Sequence, residues 1–109
     1  MKIAIASDLS GFPLKEAVKE HLQERDDIEI IDFGIESKDK PKAYWEQAPK
    51  VAKAIQNGEA EKGILICGTA QGMAIVANKF KGVYAAVADG IFSAERGKII
   101  NNANVITMG

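Results

Sequence analysis

An α/β fold with five parallel strands and helices on both faces is what the sequence predicts. Five short aliphatic runs, several of them β-branched, recur along the chain. Stretches with helical spacing separate them. Gly, Asp and Asn close most of the runs. Strict alternation of this kind builds a parallel sheet with right-handed crossovers.

Lys2 to Ser7 (KIAIAS) reads as a strand buried on both faces, ending at the turn-prone Asp8-Leu9-Ser10-Gly11. Leu14, Ala17, Val18, His21 and Leu22 then share one helical face, with Lys15, Lys19, Glu20 and Gln23 elsewhere. Ile28 to Phe33 is the second strand, closed by Gly34. Glu36 to Lys42 is charged, carries Pro41 and lacks periodicity, as a surface loop does. Trp45, Ala48, Val51, Ala52 and Ile55 repeat at helical spacing, with Pro49 at a first turn or a kink, and Asn57-Gly58 ends that helix. Gly63 to Cys67 (GILIC) is the third strand, Gly68 to Gly72 a tight loop, and Met73 to Phe80 an Ala-rich helix. Val83 to Ala88 is the fourth strand, Asp89 a candidate N-cap for a helix to about Asn101, and Asn104 to Met108 the fifth strand. The expected result is a flavodoxin-like three-layer sandwich over residues 1–109, one domain, with strand order 2-1-3-4-5. No helix follows the fifth strand to cover it, so either the sequence stops short of one or a partner covers the exposed surface.

The 109 residues suffice for one core. Lys plus Arg number 14 and Asp plus Glu 15, so no basic excess exists to neutralise a nucleic-acid backbone. Cys67 is the single cysteine, which rules out an internal disulfide, and no Cys/His cluster has zinc spacing. Neither a signal peptide nor a run of roughly 20 apolar residues is present. These features read as a cytoplasmic protein with no nucleic-acid or membrane partner.

In an open α/β sheet, ligands bind beyond the carboxyl ends of the strands. The richest such end is Cys67-Gly68-Thr69-Ala70-Gln71-Gly72-Met73. Its two glycines let the backbone bend tightly and approach a ligand. The following helix aims free N–H groups back at the loop, which favours an oxyanion, a phosphate or a thiolate. A cysteine there suits proton abstraction from carbon beside a carbonyl. A lone cysteine at the end of a buried strand is more often a small core hydrophobe. Met73 stands where a tyrosine-phosphatase loop needs arginine, and the Gly-Lys-Ser/Thr of a Walker loop is absent. Cys67 also stands where a receiver domain would place its phosphoacceptor Asp.

Asp8 to Gly11 with Leu14-Lys15, Ile31 to Gly34, Gly58 to Ala60, GILICGTAQGMAIVANK (Gly63 to Lys79), SAER (Ser93 to Arg96) and NNANVITMG (Asn101 to Gly109) together resemble one family. It is that of ribose-5-phosphate isomerase B and galactose-6-phosphate isomerase, and the resemblance spans the chain. It implies a Rossmann-like fold, aldose–ketose isomerisation through an enediolate, no metal or other cofactor, and homodimers or homotetramers with sites between subunits. It implies Cys67 as the base, with Thr69 and the backbone of Gly68, Ala70, Gln71 and Gly72 steadying the enediolate. Met73 closes that stretch. Asp8 would line the site, Asn101 would contact a sugar hydroxyl, and Tyr44 matches a family tyrosine.

Four departures stand out. Leu9 and Ile100 replace histidines usual in the family, the second of them the ring-opening one. Ala70 replaces a glycine, and the family's C-terminal helical tail with its phosphate-clamping arginines has no counterpart here. The missing ring-opening histidine argues against a cyclic furanose. It points to an open-chain substrate such as a tetrose phosphate, or to a subunit completed by a paralogous partner. The stretch from SAER to ITMG is most similar to the branch acting on short or unusual sugar phosphates. The other readings are a non-catalytic or partner-dependent sugar-phosphate-binding subunit, and a bare nucleotide- or flavin-binding module. His21, the single histidine, falls away from the strand ends. Trp45 and Met73 fit a core or a subunit interface, and Lys79 and Lys81 a solvated helix end.

Overall fold

The computed structural model describes residues 1–109. The elements are β1 (Lys2–Ser7), α1 (Phe12–Leu22), β2 (Glu29–Asp32), α2 (Tyr44–Gln56), β3 (Lys62–Ile66), α3 (Gln71–Ala77), β4 (Ala85–Val87), α4 (Ile91–Asn101) and β5 (Val105–Met108). All five strands are parallel, as expected.

Their order is β2-β1-β3-β5-β4, not the expected 2-1-3-4-5. β5 slots between β3 and β4, with Thr107 level with both Leu65 and Val87. A right-handed crossover fixes which face a helix takes from the direction in which the chain moves. Moving outward to β4 puts α3 beside α2, and stepping back to β5 puts α4 on the face of α1. The helices thus divide two and two. The three-residue β4 takes the edge, and the longer, more buried β5 gains two neighbours, so β5 is not the exposed strand that its place in the sequence suggests.

Side chains alternate across the sheet. Ala4, Ala6, Leu65 and Val105 face α2 and α3, and form the larger core with Ala48, Val51, Ala52, Met73 and Ala77. Small residues dominate this interface and let the helices approach closely. A Cβ on Gly63 would stand 2.6 Å from Val51 Cγ1. Ile3, Ile5, Ile64 and Ile66 face the other way, against Val18 and Leu22 of α1.

The inward edge of α1 differs from the expected one. Lys15 is buried while Leu14 and Ala17 are exposed. The Lys15 side chain is 1% exposed, and its Nζ donates to Asp32 Oδ2 at 2.7 Å and to Glu16 Oε2 at 2.8 Å. An ion pair therefore turns the helix. His21 is exposed, away from the strand ends. Asp89 does not cap α4; the N-cap is Gly90, and Asp89 Oδ1 accepts from Ser93 Oγ instead. Along α4 only Gly97 is buried, while Ile91, Phe92, Ile99 and Ile100 are exposed.

Candidate functional site

The site is assembled at the carboxyl ends of β1 and β3, which run level there, Ser7 beside Ile66. The Asp8 N–H donates to the Ile66 carbonyl at 3.2 Å, so the turn after β1 is tied to the last residue of β3. Asp8 Oδ1 accepts the Gly11 N–H at 2.9 Å, which closes that turn and starts α1. Gly11 lies so close to Ile66 that an added Cβ would meet its carbonyl oxygen at 2.4 Å.

Cys67 follows, its N–H donating to Met108 O at 3.0 Å. It is 5% exposed, belongs to the larger core cluster, and lines no cavity of this chain. Beyond it the backbone turns over through Ala70, a non-glycine residue at φ 70°, ψ −19°. That left-handed conformation explains why glycine suits this position. The turn has a chemical consequence. The N–H groups of Gly68, Thr69, Ala70, Gly72 and Met73 donate to no protein acceptor, and that of Gln71 donates to Thr69 Oγ1 at 3.3 Å. Thr69 Oγ1 accepts one bond and keeps its own proton free. α3 begins at Gln71, two residues earlier than expected. The Met73 side chain is fully buried in the core, so only its backbone N–H can face a ligand.

The walls come from α1, α2 and β5. A Cβ on Gly68 would lie 3.6 Å from Ser10 Cβ, and one on Gly72 would run into the Tyr44 ring at 2.6 Å. Gly109 props the loop from below, its Cβ direction pointing at Thr69 C at 2.8 Å. Tyr44 meets Trp45 edge-on at 5.1 Å between ring centroids. Beside this cluster opens a cavity of about 330 Å³, lined in part by Asp8, Ser10, Lys42, Tyr44 and Trp45.

The structure thus brings together Asp8, Cys67, Gly68, Thr69, Ala70, Gln71 and Gly72. It does not bring Asn101 to them. Asn101 ends α4 and lines a cavity with Tyr84, Ala85 and Ala103 at the opposite, amino edge of the sheet. Ala85 is level with Val105, and Val105 with Gly63. Cys67 lies four residues further along β3, roughly 13 Å at the rise of a strand. Ser10 and Lys42 escape sequence reasoning. Ser10 carries only a turn signal, and Lys42 closes a charged stretch read as a solvated loop. No group of three or more His, Cys, Asp or Glu residues converges as a metal site. No helix is long and apolar enough to cross a membrane.

A doubly wound sheet with a cysteine and a fan of free amides at the carboxyl end of its middle strand defines the class: an α/β protein with an oxyanion-binding loop at its switch point. The Ribose/Galactose Isomerase family model matches residues 3–109, so the chain belongs to that family, and its enzyme class is sugar-phosphate isomerase. The 4-deoxy-4-sulfo-D-erythrose isomerase of Clostridium sp. (strain MSTE9) is 52% identical over 109 residues, covering 100% of this chain and 68% of that protein. The crystal structure of a ribose 5-phosphate isomerase from Thermotoga maritima superposes with a TM-score of 0.92 at 42% identity, covering 98% of this chain and 72% of that one. The Mycoplasma genitalium ribose-5-phosphate isomerase B, solved with bound ribulose-5-phosphate, gives 0.89 at 38% identity, covering 99% of this chain and 71% of that one.

Proposed function

We propose that this chain interconverts the aldose and ketose forms of a short, open-chain sugar with a phosphate or sulfonate at its far end, and that Cys67 is the base. The observation that carries the reading is the loop after β3. Cys67 opens it, and five backbone N–H groups around it have no protein acceptor. The Cys67 thiolate takes the proton from C2 of the aldose, the C–H electron pair forms the C1–C2 double bond, and the negative charge moves to O1. Loop amides and the Thr69 hydroxyl hold that oxygen, which is where such donors are worth most. The proton then returns to C1, and the O2 hydroxyl proton passes to O1, leaving the ketose. A four-carbon sugar supports this reading because it cannot close a furanose ring through its phosphorylated or sulfonated end. It needs no ring-opening histidine, and Leu9 and Ile100 offer none. A relative that is 52% identical is named for such a sugar.

The test is exchange of the C1 or C2 hydrogen with deuterated solvent, followed by NMR over a panel of C4 to C6 sugar phosphates and 4-deoxy-4-sulfoerythrose. Cys67→Ser is expected to slow exchange about 10²- to 10⁴-fold, the usual loss of a general base, while binding falls much less. Exchange as fast as wild type would show that Cys67 is not the base. Wild type that binds sugar phosphates but exchanges none would favour a binding subunit.

A second feature concerns assembly. Asn101 lies at the opposite edge from Cys67, and α4 shows solvent a stripe containing Phe92, Ile99 and Ile100. Ile106 and Met108 of β5 are only half-covered on the same face. A two-fold dimer or a tetramer of this chain would cover apolar surface of this kind and could carry Asn101 to a neighbour's loop.

A further inference from the structure

A sugar with an anionic end needs a cation at the site, and several of the chain's cations are already engaged elsewhere. Arg25 pairs with Asp27 at 2.8 Å, and Arg96 rests over the Phe92 ring at 5.2 Å on the exposed side of α4. Lys15 and Lys19 are both spent on Asp32, at 2.7 and 2.6 Å. Lys42 differs. It forms no ion pair and no side-chain hydrogen bond, and it is the only cation lining the cavity that opens beside Ser10 and Tyr44. Those two residues abut Gly68 and Gly72, so the cavity runs directly off the catalytic loop. Lys42 also lines the adjoining cavity of about 180 Å³, where Lys40 and Lys50 join it and Glu36 is the one acid. Asp8 lines the same cavity, with Oδ1 turned back to the Gly11 amide. A carboxylate repels an anion and accepts from hydroxyls, whereas an ammonium attracts one. The two charges sort a substrate end for end.

Resting on the isomerase reading above, we propose that Lys42 is the specificity residue that holds the tetrahedral oxyanion at the far end of the substrate. The carbonyl end then lies on the Gly68 to Gly72 loop and the hydroxyls lie toward Asp8. Phosphate and sulfonate share this recognition, because a lysine binds either as a point charge.

The experiment is NMR titration of the full chain with inorganic phosphate and with inorganic sulfate at low salt. It compares wild type, Lys42→Met, Lys42→Arg and the exposed α2 control Lys53→Met. Wild type is expected to show amide shifts concentrated at residues 8–10 and 42–45. Lys42→Met should weaken both anions about tenfold, Lys42→Arg should restore binding, and Lys53→Met should leave it unchanged. Steady-state assays of the same variants should raise KM for the anionic sugar with kcat little changed. Equal binding by wild type and Lys42→Met, or shifts confined to other residues, overturns the proposal. Anion binding is read without turnover. A wild type that binds phosphate through Lys42 yet exchanges no sugar hydrogen sinks the isomerase reading and leaves the anion site standing. A wild type that exchanges but ignores Lys42→Met in both KM and titration does the reverse. Sulfate and phosphate lost in parallel marks a shared oxyanion site, as proposed, and loss of neither refutes it.

Discussion

Gly11 shows how a single missing side chain sets the geometry of the site. Its Cα packs on the Ile66 carbonyl, and a Cβ would stand 2.4 Å from that oxygen and 2.6 Å from its carbon. The obstacle is backbone at the end of the central strand, which cannot swing aside as a side chain can. Gly11→Ala must push α1 off the sheet or move Ile66, and with it Cys67. Overpacking of this kind costs about 1 to 3 kcal/mol, and the upper end is expected here, read as a lower denaturant midpoint at unchanged m. A midpoint within error of wild type would show that α1 docks loosely. Gly72 is a milder case, because its obstacle is the Tyr44 ring, a side chain that can rotate. Ala70 is the reverse case, a Cβ retained in a left-handed turn where glycine would be unstrained. Asp8, Cys67 and the loop to Gly72 were legible in the sequence because strand ends and glycine-rich turns have local signatures. Gly11 was legible only as a turn residue, since its partner is remote in sequence.

At the scale of the element, α1 carries a lesson about charge. Helical periodicity places Leu14, Ala17 and His21 inward, but the helix docks through Lys15. Asp32, at the end of β2, gathers Lys15 and Lys19, while its Oδ1 accepts the Gly34 N–H at 2.8 Å. Partial burial works to raise the Asp32 pKa, but the bonds from Lys15 and Lys19 outweigh it and hold the carboxyl below its ordinary value. The bond to Asp32 likewise raises the Lys19 pKa. A lowered folded-state carboxyl pKa adds stability that is present above the unfolded value, about 3.9, and is lost as pH falls through the folded value. The raised lysine adds stability that is present below its unfolded value, about 10.4, and is lost as pH rises through the folded one. Asp32→Asn should therefore flatten both the acid and the alkaline limb of the stability–pH curve. Its cost near neutrality should be roughly 3 kcal/mol, the low end for a broken buried pair, because Glu16 still reaches Lys15. Urea midpoints at about pH 3, 7 and 11 check this, the outer two bracketing the two unfolded pKa values. Limbs as steep as in wild type would place the titrating group elsewhere. Hydrophobic spacing could not reveal this pair, because it counts a lysine as outward by default.

At the scale of the molecule, the alternation of strands and helices, the parallel sheet and the loop at its carboxyl edge were legible, because each rests on a local period or on a handedness rule. The order of the last two strands was not. Both 2-1-3-4-5 and the observed 2-1-3-5-4 obey right-handed crossover, and the choice depends on how apolar area is shared between the faces. That choice puts α4 beside α1 on the same face of the sheet and runs it from the carboxyl edge back to the amino edge, ending at Asn101. If Asn101 contacts the sugar, it does so in a neighbour's site, and the two edges of one chain serve two different sites. Complementation tests this directly. Cys67→Ser and Asn101→Ala, each prepared alone, should both be nearly inactive in hydrogen exchange. Denatured together in equal amounts and refolded, they should form mixed dimers in which one of the two sites has both residues intact. Random assembly makes half the dimers mixed, so about a quarter of wild-type activity should return. Sedimentation at about 10 µM should show dimer or larger, and Phe92→Glu with Ile99→Glu on α4 should shift it toward monomer. An Asn101→Ala chain that is fully active alone would place Asn101 outside the catalytic site, and no recovery from a refolded mixture that sediments as dimer would show that Cys67 and Asn101 do not meet across subunits. A wild type that is monomeric yet fully active would remove the need for a partner altogether.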